Sequence, residues 1–236
     1  MKKLSVIILV FMMFCYHGTT FSQGKYPLKL GLKIAPNIGW MNPSTKGYSS
    51  DGARFGGTIG FISDIYFAEN YAFSTGLNFQ FINGKLNYTD SMLVDGSKKL
   101  VNGDVFRTYH FLYIEIPLMI KMKTKTFGKI SYFGQIGFGT GFRLNATVKE
   151  HFVPTDSKDG GPVDQQYDYK NGTTLIRESI LIGIGCEIHI DESSRILLGF
   201  SYSNSLNNVL TGVNYKSNLL EKSQLNYAEL NIGFLF

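Results

Sequence analysis

The sequence predicts an all-β protein, an eight-stranded antiparallel up-and-down transmembrane β-barrel of the outer-membrane type. Three observations predict it: eight segments alternate apolar and polar residues with a period of two, short and long connections alternate between these segments, and the chain ends on Phe236. A period of two places successive side chains on opposite faces of a strand. One face can then contact lipid while the other lines a lumen, as in outer-membrane barrels.

The N-terminal segment predicts export from the cytoplasm. Two lysines precede an apolar run at residues 4–14, and Thr20 and Ser22 occupy positions −3 and −1 of a cleavage site. A run of this length fits a signal peptide and is too short for a membrane-spanning helix, which needs about 20 residues. We predict a cleaved signal peptide at residues 1–22 and one outer-membrane β-barrel domain at residues 23–236.

A lipoprotein signal at Cys15 is the alternative N-terminal signal, but the preceding Phe14 stands where that motif has a small residue.

Charge and cysteine content exclude several classes of protein. Loss of the signal peptide removes two lysines and no acidic residue, so the formal charge falls from +5 to +3. Such a small charge does not indicate a nucleic-acid partner. Cys186 is then the only cysteine, which excludes an internal disulfide.

The alternation defines the strands one by one. In the first, leucine and isoleucine face one side, and lysine, glycine and asparagine face the other. The pattern is clearest in the fifth, where the apolar even positions predicted to face lipid include Ala146 and Val148. The fourth and sixth strands have equally regular apolar faces. The eight predicted strands are residues 28–40, 54–68, 71–88, 112–123, 130–148, 180–190, 195–205 and 224–236.

The connections between these strands give an independent argument for the topology. Three are short, at residues 69–70, 124–127 and 191–194, and the alternate ones are long and polar, at residues 41–53, 89–106, 150–172 and 206–223. Outer-membrane barrels have short periplasmic turns and long extracellular loops. We therefore predict four long extracellular loops.

A soluble β-sandwich or a lipocalin-like barrel is the alternative fold. Alternation alone cannot distinguish the inside of a barrel from its outside. Unbroken apolar faces of five or six residues, glycine-rich polar faces and the terminal Phe236 favour lipid contact. Glycines also suit the interior of a small barrel, which has little room, because they let long charged side chains pass.

Several stretches resemble one family of outer-membrane proteins. Residues 113–121, Tyr-Ile-Glu-Ile-Pro-Leu-Met-Ile-Lys, resemble the fourth-strand signature of the outer-membrane β-barrel domain family common in Bacteroidota, often labelled PorT-like. Residues 31–37, 73–79 and 21–23 support the resemblance. It implies the barrel fold and a place in the cell outer membrane, and the family's namesake is linked to a secretion system confined to that phylum. A shared fold implies little about biochemical role.

The C-terminus has a pattern of its own. Phe234 and Phe236 alternate at outward positions of the last strand. This ending is similar to the signal that the barrel-assembly machinery reads in outer-membrane proteins. We predict that these two residues form an assembly signal and that this machinery is a partner.

Charged residues on the inward faces predict a network across the lumen. The carboxylates are expected to pair with the cations, because an unpaired buried charge costs several kcal/mol. We interpret the network as a plug that fills the barrel; the alternative is a path for protons or ions. Its predicted members are Lys33, Asp64, Glu115, Lys121, Arg143, Glu187 and Glu229.

No sequence motif predicts catalysis. His110, His151 and His189 remain after signal cleavage, none in a recognisable motif with a serine and none at metal-ligand spacing. We predict no enzyme, cofactor or metal, and a structural, interaction or secretion-accessory role. The predicted partners are outer-membrane lipid and lipopolysaccharide and a secretion-system or surface protein. The alternatives are a narrow channel or transport accessory and a lipid-modifying enzyme, for which His110 is the candidate base.

Overall fold

The computed structural model describes residues 28–93, 100–156, 161–191 and 193–236. The signal peptide predicted at residues 1–22 lies outside these described residues. A 3-10 helix at Lys170–Gly172 precedes the seventh strand. The strands within the described ranges are β1 (Leu28–Pro43), β2 (Tyr48–Ala68), β3 (Tyr71–Leu93), β4 (Leu100–Lys123), β5 (Ile130–Pro154), β6 (Val163–Asp168), β7 (Ile176–His189), β8 (Arg195–Ser205) and β9 (Ser223–Leu235).

Eight of the strands close into an antiparallel ring in the order β1-β2-β3-β4-β5-β7-β8-β9. The last strand pairs with the first, with Phe234 opposite Leu32. Closure gives every ring strand two hydrogen-bonded neighbours. Lipid requires this, because it cannot form the backbone hydrogen bonds that an open sheet edge leaves unmade. β6 stands outside the ring and pairs with the upper part of β5. The predicted eight-stranded antiparallel barrel is confirmed.

A band of exposed apolar side chains surrounds the ring. On β4, Ile116 and Leu118 are 39% and 47% exposed, whereas Glu115 and Lys121 on the opposite face are each 1% exposed. A soluble barrel would have the reverse arrangement, so the apolar face is the lipid-facing one. Among the described residues, no helix is long and apolar enough to cross a membrane.

The strands extend well beyond the predicted ones on the long-loop side. The connection from β1 to β2 shrinks to residues 44–47, and β3 and β4 remain paired up to Leu93 opposite Leu100. The predicted loop bounds at 41–53 and 89–106 are therefore wrong. Past the lipid band the polarity of the two faces inverts: Leu86 and Tyr88 are buried inside, while the outward side chains are polar. In this part the sheet buries its apolar residues inside, as a soluble barrel does. The sequence analysis therefore did not recognise residues 89–93 and 100–106 as strands.

One bulge changes the faces of the fifth strand. Leu112 pairs with Asn145 and Tyr113 with Arg143, so Leu144 is the extra residue. An inserted residue reverses the faces of all that follow. Ala146 and Val148 are consequently buried inside, at 1% and 0% exposure, and their predicted contact with lipid is wrong.

Inward glycines make room for long side chains, as the sequence predicted. A β-carbon at Gly139 would lie 3.0 Å from the carboxylate carbon of Glu115, and one at Gly60 would lie 3.1 Å from Cε of Lys33. The charged side chains of Glu115 and Lys33 occupy the space that these glycines leave.

Candidate functional site: the lumen and the extracellular mouth

An ionic layer crosses the lumen near the short turns. Lys121 Nζ lies 2.6 Å from Asp64 Oδ2 and 2.6 Å from Glu187 Oε1, and all three side chains are at most 1% exposed. Glu187 also binds Lys123 at 2.5 Å and Arg195 at 2.9 Å. Asp64 accepts a further hydrogen bond from Ser74. This layer, which we call the lower layer, joins five strands of the ring, β2, β3, β4, β7 and β8, and leaves its two carboxylates compensated.

A second layer lies above it. Lys33 Nζ is 2.9 Å from Glu229 Oε1, and Glu229 accepts a hydrogen bond from Thr58. Arg177 Nη1 is 3.3 Å from Glu115 Oε2, with 0% and 1% side-chain exposure. The space between the two layers is a cavity of about 60 Å³, which has room for a few water molecules.

Six of the seven residues predicted for the lumen network lie in these two layers, and Arg143 does not. Arg143 stands next to the bulge and donates to the carbonyl oxygens of Lys170 and Thr173 instead. The partner of Glu115 is Arg177, which the sequence analysis missed because its predicted strand began at residue 180. The alternation does continue on the N-terminal side of residue 180, where Arg177 and Ser179 are both buried on the lumen face.

The upper half of the lumen is apolar. It is filled by side chains that are almost completely buried: Met41, Ile82, Leu86, Tyr109, Phe111, Tyr113, Ala146, Val148, Phe152, Val209, Leu210, Leu225 and Tyr227. Two of them, Val209 and Leu210, come from the connection between β8 and β9, residues 206–222. This predicted extracellular loop therefore folds back and closes the barrel from above.

A charged cluster covers the apolar layer at the extracellular mouth. Arg107 forms ion pairs with Glu150 and with Glu221, the latter at 3.0 Å. The guanidinium carbon lies 5.2 Å from the ring centres of both Tyr88 and Tyr169, within the range of cation–π contacts. We call Arg107, Glu150, Glu221 and Tyr169 the mouth cluster.

Tyrosine hydroxyls complete the hydrogen bonds of the two glutamates. Tyr169 and Tyr48 donate to Glu221 at 2.6 and 3.2 Å, and Tyr167 donates to Glu150 at 2.9 Å. Burial, and then the charge of Glu221, raises the pKa of Tyr48 and of Tyr169. These phenols therefore stay protonated and keep donating throughout the physiological pH range.

Comparison with known proteins places this architecture in a family. A family model described as "Outer membrane protein beta-barrel domain" matches residues 21–211. The chain belongs to this family. No curated protein sequence matches it. The outer membrane is accordingly the location of this barrel, as the sequence predicted.

Solved outer-membrane structures are similar to this barrel at low sequence identity. Neisserial surface protein A is 10% identical, with 88% of this chain and 95% of that chain covered and a TM-score of 0.45. Ail of Yersinia pestis, in complex with the heparin analogue sucrose octasulfate, is 14% identical, with 89% and 99% covered and a TM-score of 0.37. OprG of Pseudomonas aeruginosa is 10% identical, with 90% and 96% covered and a TM-score of 0.38.

The three histidines within the described residues lie at three different positions in the fold. His110 bonds Asn83 at 2.9 Å on the outer face, and His151 bonds Asp164 at 2.8 Å above it. At the short-turn end, Ser131 Oγ lies 3.1 Å from His189 Nε2. That serine, whose pairing the sequence analysis missed, is 1% exposed and out of reach of a substrate. In the described part of the chain, no group of three or more His, Cys, Asp or Glu residues could hold a metal ion.

The mouth cluster gives a first testable consequence. Replacing Arg107 by methionine leaves Glu150 and Glu221 buried without a cation, so the 206–222 connection is expected to detach more often. We expect Lys-C cleavage at the exposed Lys216 to accelerate at least about tenfold, the factor that 1.4 kcal/mol of lost local stability produces. Time-resolved proteolysis of the folded protein in lipid vesicles measures this rate.

The control for this experiment is Arg54→Met. Arg54 is an exposed arginine on β2, so its loss should leave the cleavage rate unchanged. Equal rates for Arg107→Met and the unmodified protein would contradict a role of the mouth cluster in holding the connection.

Proposed function

We propose that the protein is a non-conducting outer-membrane barrel whose extracellular end binds another molecule. The observation that carries this proposal is the filled lumen: two ionic layers, an apolar layer and the 206–222 connection follow one another along the barrel axis. An eight-stranded barrel is only wide enough to be filled by side chains. A role in solute transport therefore has little structural support, and the family gives no indication of an enzyme.

A rigid extracellular platform supports the interaction role. Above the lipid band, β3 and β4 continue as uninterrupted pairs from Asn83 opposite His110 to Leu93 opposite Leu100, and β5 and β6 widen the same sheet. At about 3.3 Å per residue this hairpin extends roughly 30 Å along the strand direction past the band. Loops positioned by a rigid scaffold are the usual carriers of binding functions.

We further propose the finer assignments that the sequence suggests. The fourth-strand signature at residues 113–121 supports a PorT-like, Bacteroidota origin and a secretion-accessory role. The N-terminal run supports a signal peptide at residues 1–22. Phe234 and Phe236, which are 44% and 52% exposed on the lipid side, support recognition by the barrel-assembly machinery. Lipid and lipopolysaccharide are the proposed surroundings of the outer face.

Single-channel recording tests the proposed closed lumen. We expect the protein in planar bilayers to give no discrete conductance steps above background, because buried ion pairs and apolar side chains occupy the lumen. The matched variant is Lys121→Ala/Asp64→Ala, which removes a salt bridge from the lower layer. Its conductance shows how large a leak the recording detects when part of the lumen filling is removed. Regular steps from the unmodified protein would overturn the proposal in favour of a channel.

Co-purification tests the interaction role. Deleting residues 91–102 removes the tip of the β3–β4 hairpin and leaves Asp90-Gly103 as a two-residue turn, a favoured hairpin sequence, after the paired Thr89 and Asp104. We expect secretion-system or surface proteins to co-purify with the full chain and to be lost with the deletion. Identical recovery from both, or none from the full chain, would contradict the platform's role.

A further inference from the structure

We infer that the extracellular mouth contains a groove that binds a lysine or arginine side chain of an extended protein segment. The inference rests on the proposed interaction role and identifies the chemistry of the partner. It comes from an apolar-walled groove on the inner face of the platform, above the mouth cluster and beyond the lipid band.

The groove has a volume of about 410 Å³. Its walls are mostly apolar and aromatic, and its floor is formed by charged side chains of the mouth cluster. Its lining includes Asp90, Met92, Leu93, Leu100, Arg107, Glu150 and Tyr215.

The rim of the groove exposes large apolar side chains to water. Tyr215 is 80% exposed, and Leu93 and Leu100 are 61% and 59% exposed. These residues stand above the lipid band, so lipid does not cover them. Exposed apolar groups that surround a concave site mark interaction surfaces, and they suit the alkyl stem of a lysine or the neighbours of such a residue in a peptide.

The charge of the floor selects a cation. Asp90, Glu150 and Glu221 are 6%, 3% and 1% exposed, and Arg107 is the cation paired with the two glutamates. Among the described residues, the groove and the mouth cluster beneath it thus carry three carboxylates, those of Asp90, Glu150 and Glu221, and one guanidinium. Lys216 donates its backbone N–H to Asp90, and its side chain is exposed. An anionic ligand would meet like charges here, whereas an ammonium or guanidinium group would restore balance.

Asp90 is held ready for such a partner. Its Oδ1 accepts hydrogen bonds from the backbone N–H of Ser91 at 2.8 Å and of Lys216 at 2.9 Å. These two bonds fix the carboxylate between the β3–β4 hairpin and the 206–222 connection. A fixed carboxylate loses little side-chain entropy on binding, which favours affinity.

Methionine NMR tests the groove directly. After signal cleavage the chain has four methionines, and Met92 is the one that lines the groove, whereas Met41, Met119 and Met122 lie in or around the barrel below. The protein is labelled at the methionine methyl carbons and studied in lipid nanodiscs. The probes are the peptides acetyl-Leu-Lys-Leu-Tyr-amide and acetyl-Leu-Nle-Leu-Tyr-amide, in which norleucine replaces lysine without its charge.

We expect the lysine peptide to shift the Met92 signal saturably and to leave Met119 and Met122 in place. The norleucine peptide should bind at least about fivefold more weakly, and added salt should narrow the difference, because salt screens the attraction. Equal affinity of both peptides, tighter binding of a glutamate peptide, or no shift of Met92 at any concentration would overturn the inference.

A matched pair of variants assigns the effect to the floor. Asp90→Asn should remove most of the preference for lysine over norleucine. Asp104→Asn, on the outer face of the same sheet, should keep it. Tyr215→Ser, at an exposed wall position that the fold does not need, should weaken both peptides equally. The same loss for Asp90→Asn and Asp104→Asn would contradict the assignment.

Failure of the groove and failure of the proposed function give different results. A protein that does not conduct and loses its partners with the hairpin tip, but shows no lysine preference, would keep the interaction role and reject the groove. A conducting protein would reject the proposed function, whatever the peptides do.

Discussion

Replacing Lys121 by methionine is expected to lower the free energy of unfolding by about 3–5 kcal/mol, the usual cost of breaking a buried ion pair. Lys121 is the cation bound by Asp64, and both side chains are at most 1% exposed. Methionine has nearly the same volume, so the expected loss comes from charge and not from packing. Urea titration of the barrel in phospholipid vesicles, followed by the folded band on unheated gels, measures the change.

The lower layer also predicts which second substitution rescues the first. Without Lys121, Glu187 keeps Lys123 and Arg195, whereas Asp64 keeps, among the described residues, only the hydroxyl of Ser74. The uncompensated charge is therefore that of Asp64, and Lys121→Met/Asp64→Asn should regain more than half of the lost stability. A double variant as unstable as the single one would show that packing matters more than charge. Lys125→Met, at an exposed turn position, should change little.

The lipid-spanning half of the barrel was predictable because one rule governs it. Between the short turns and the top of the lipid band, apolar residues face out and polar residues face in, so alternation alone defines strands such as 112–123. Above the band the rule inverts, with Leu86 and Tyr88 inside and Lys85 outside. Residues 89–93 and 100–106 continue these strands, and the sequence analysis interpreted them as loop because their apolar side chains no longer follow the outward-facing pattern. The inversion itself is the signal that could have revealed the longer strands.

The site was less predictable than the fold, for local and for long-range reasons. The bulge at Leu144 adds one residue, which no alternation rule foresees, and it reverses the faces of Ala146 and Val148. Arg143, just before the bulge, binds the carbonyl oxygens of Lys170 and Thr173, a contact that no spacing predicts. The mouth cluster joins residues of β4, β5 and the last connection, Arg107, Glu150 and Glu221. Only the folded ring brings these three together, and no spacing in the sequence encodes their contact.

Arg177→Met is the second substitution with a large expected effect, again about 3–5 kcal/mol in the free energy of unfolding. Arg177 is completely buried and donates to three acceptors: the Leu225 carbonyl at 3.1 Å, the Ser203 hydroxyl at 2.7 Å and the Glu115 carboxylate at 3.3 Å. Its guanidinium also lies 5.1 Å from the ring centre of Tyr227. Arg177→Lys should lose part of this stability, because an ammonium cannot reproduce the planar set of donors.

The two partners of this pair should differ in what their loss costs. Glu115→Gln leaves Arg177 with two neutral acceptors and a tyrosine ring, whereas Arg177→Met leaves the Glu115 carboxylate with neutral donors from Gln80 and Tyr227. A guanidinium spreads its charge over several donors and is more weakly hydrated than an ammonium, and Arg177 keeps the Leu225 carbonyl and the Ser203 hydroxyl as acceptors. We therefore expect Glu115→Gln to lower the free energy of unfolding less than Arg177→Met does. The double variant should be more stable than Arg177→Met alone. A double-mutant cycle of the four proteins in vesicles measures the coupling, and a coupling near zero would contradict a charge pair at the centre of the lumen.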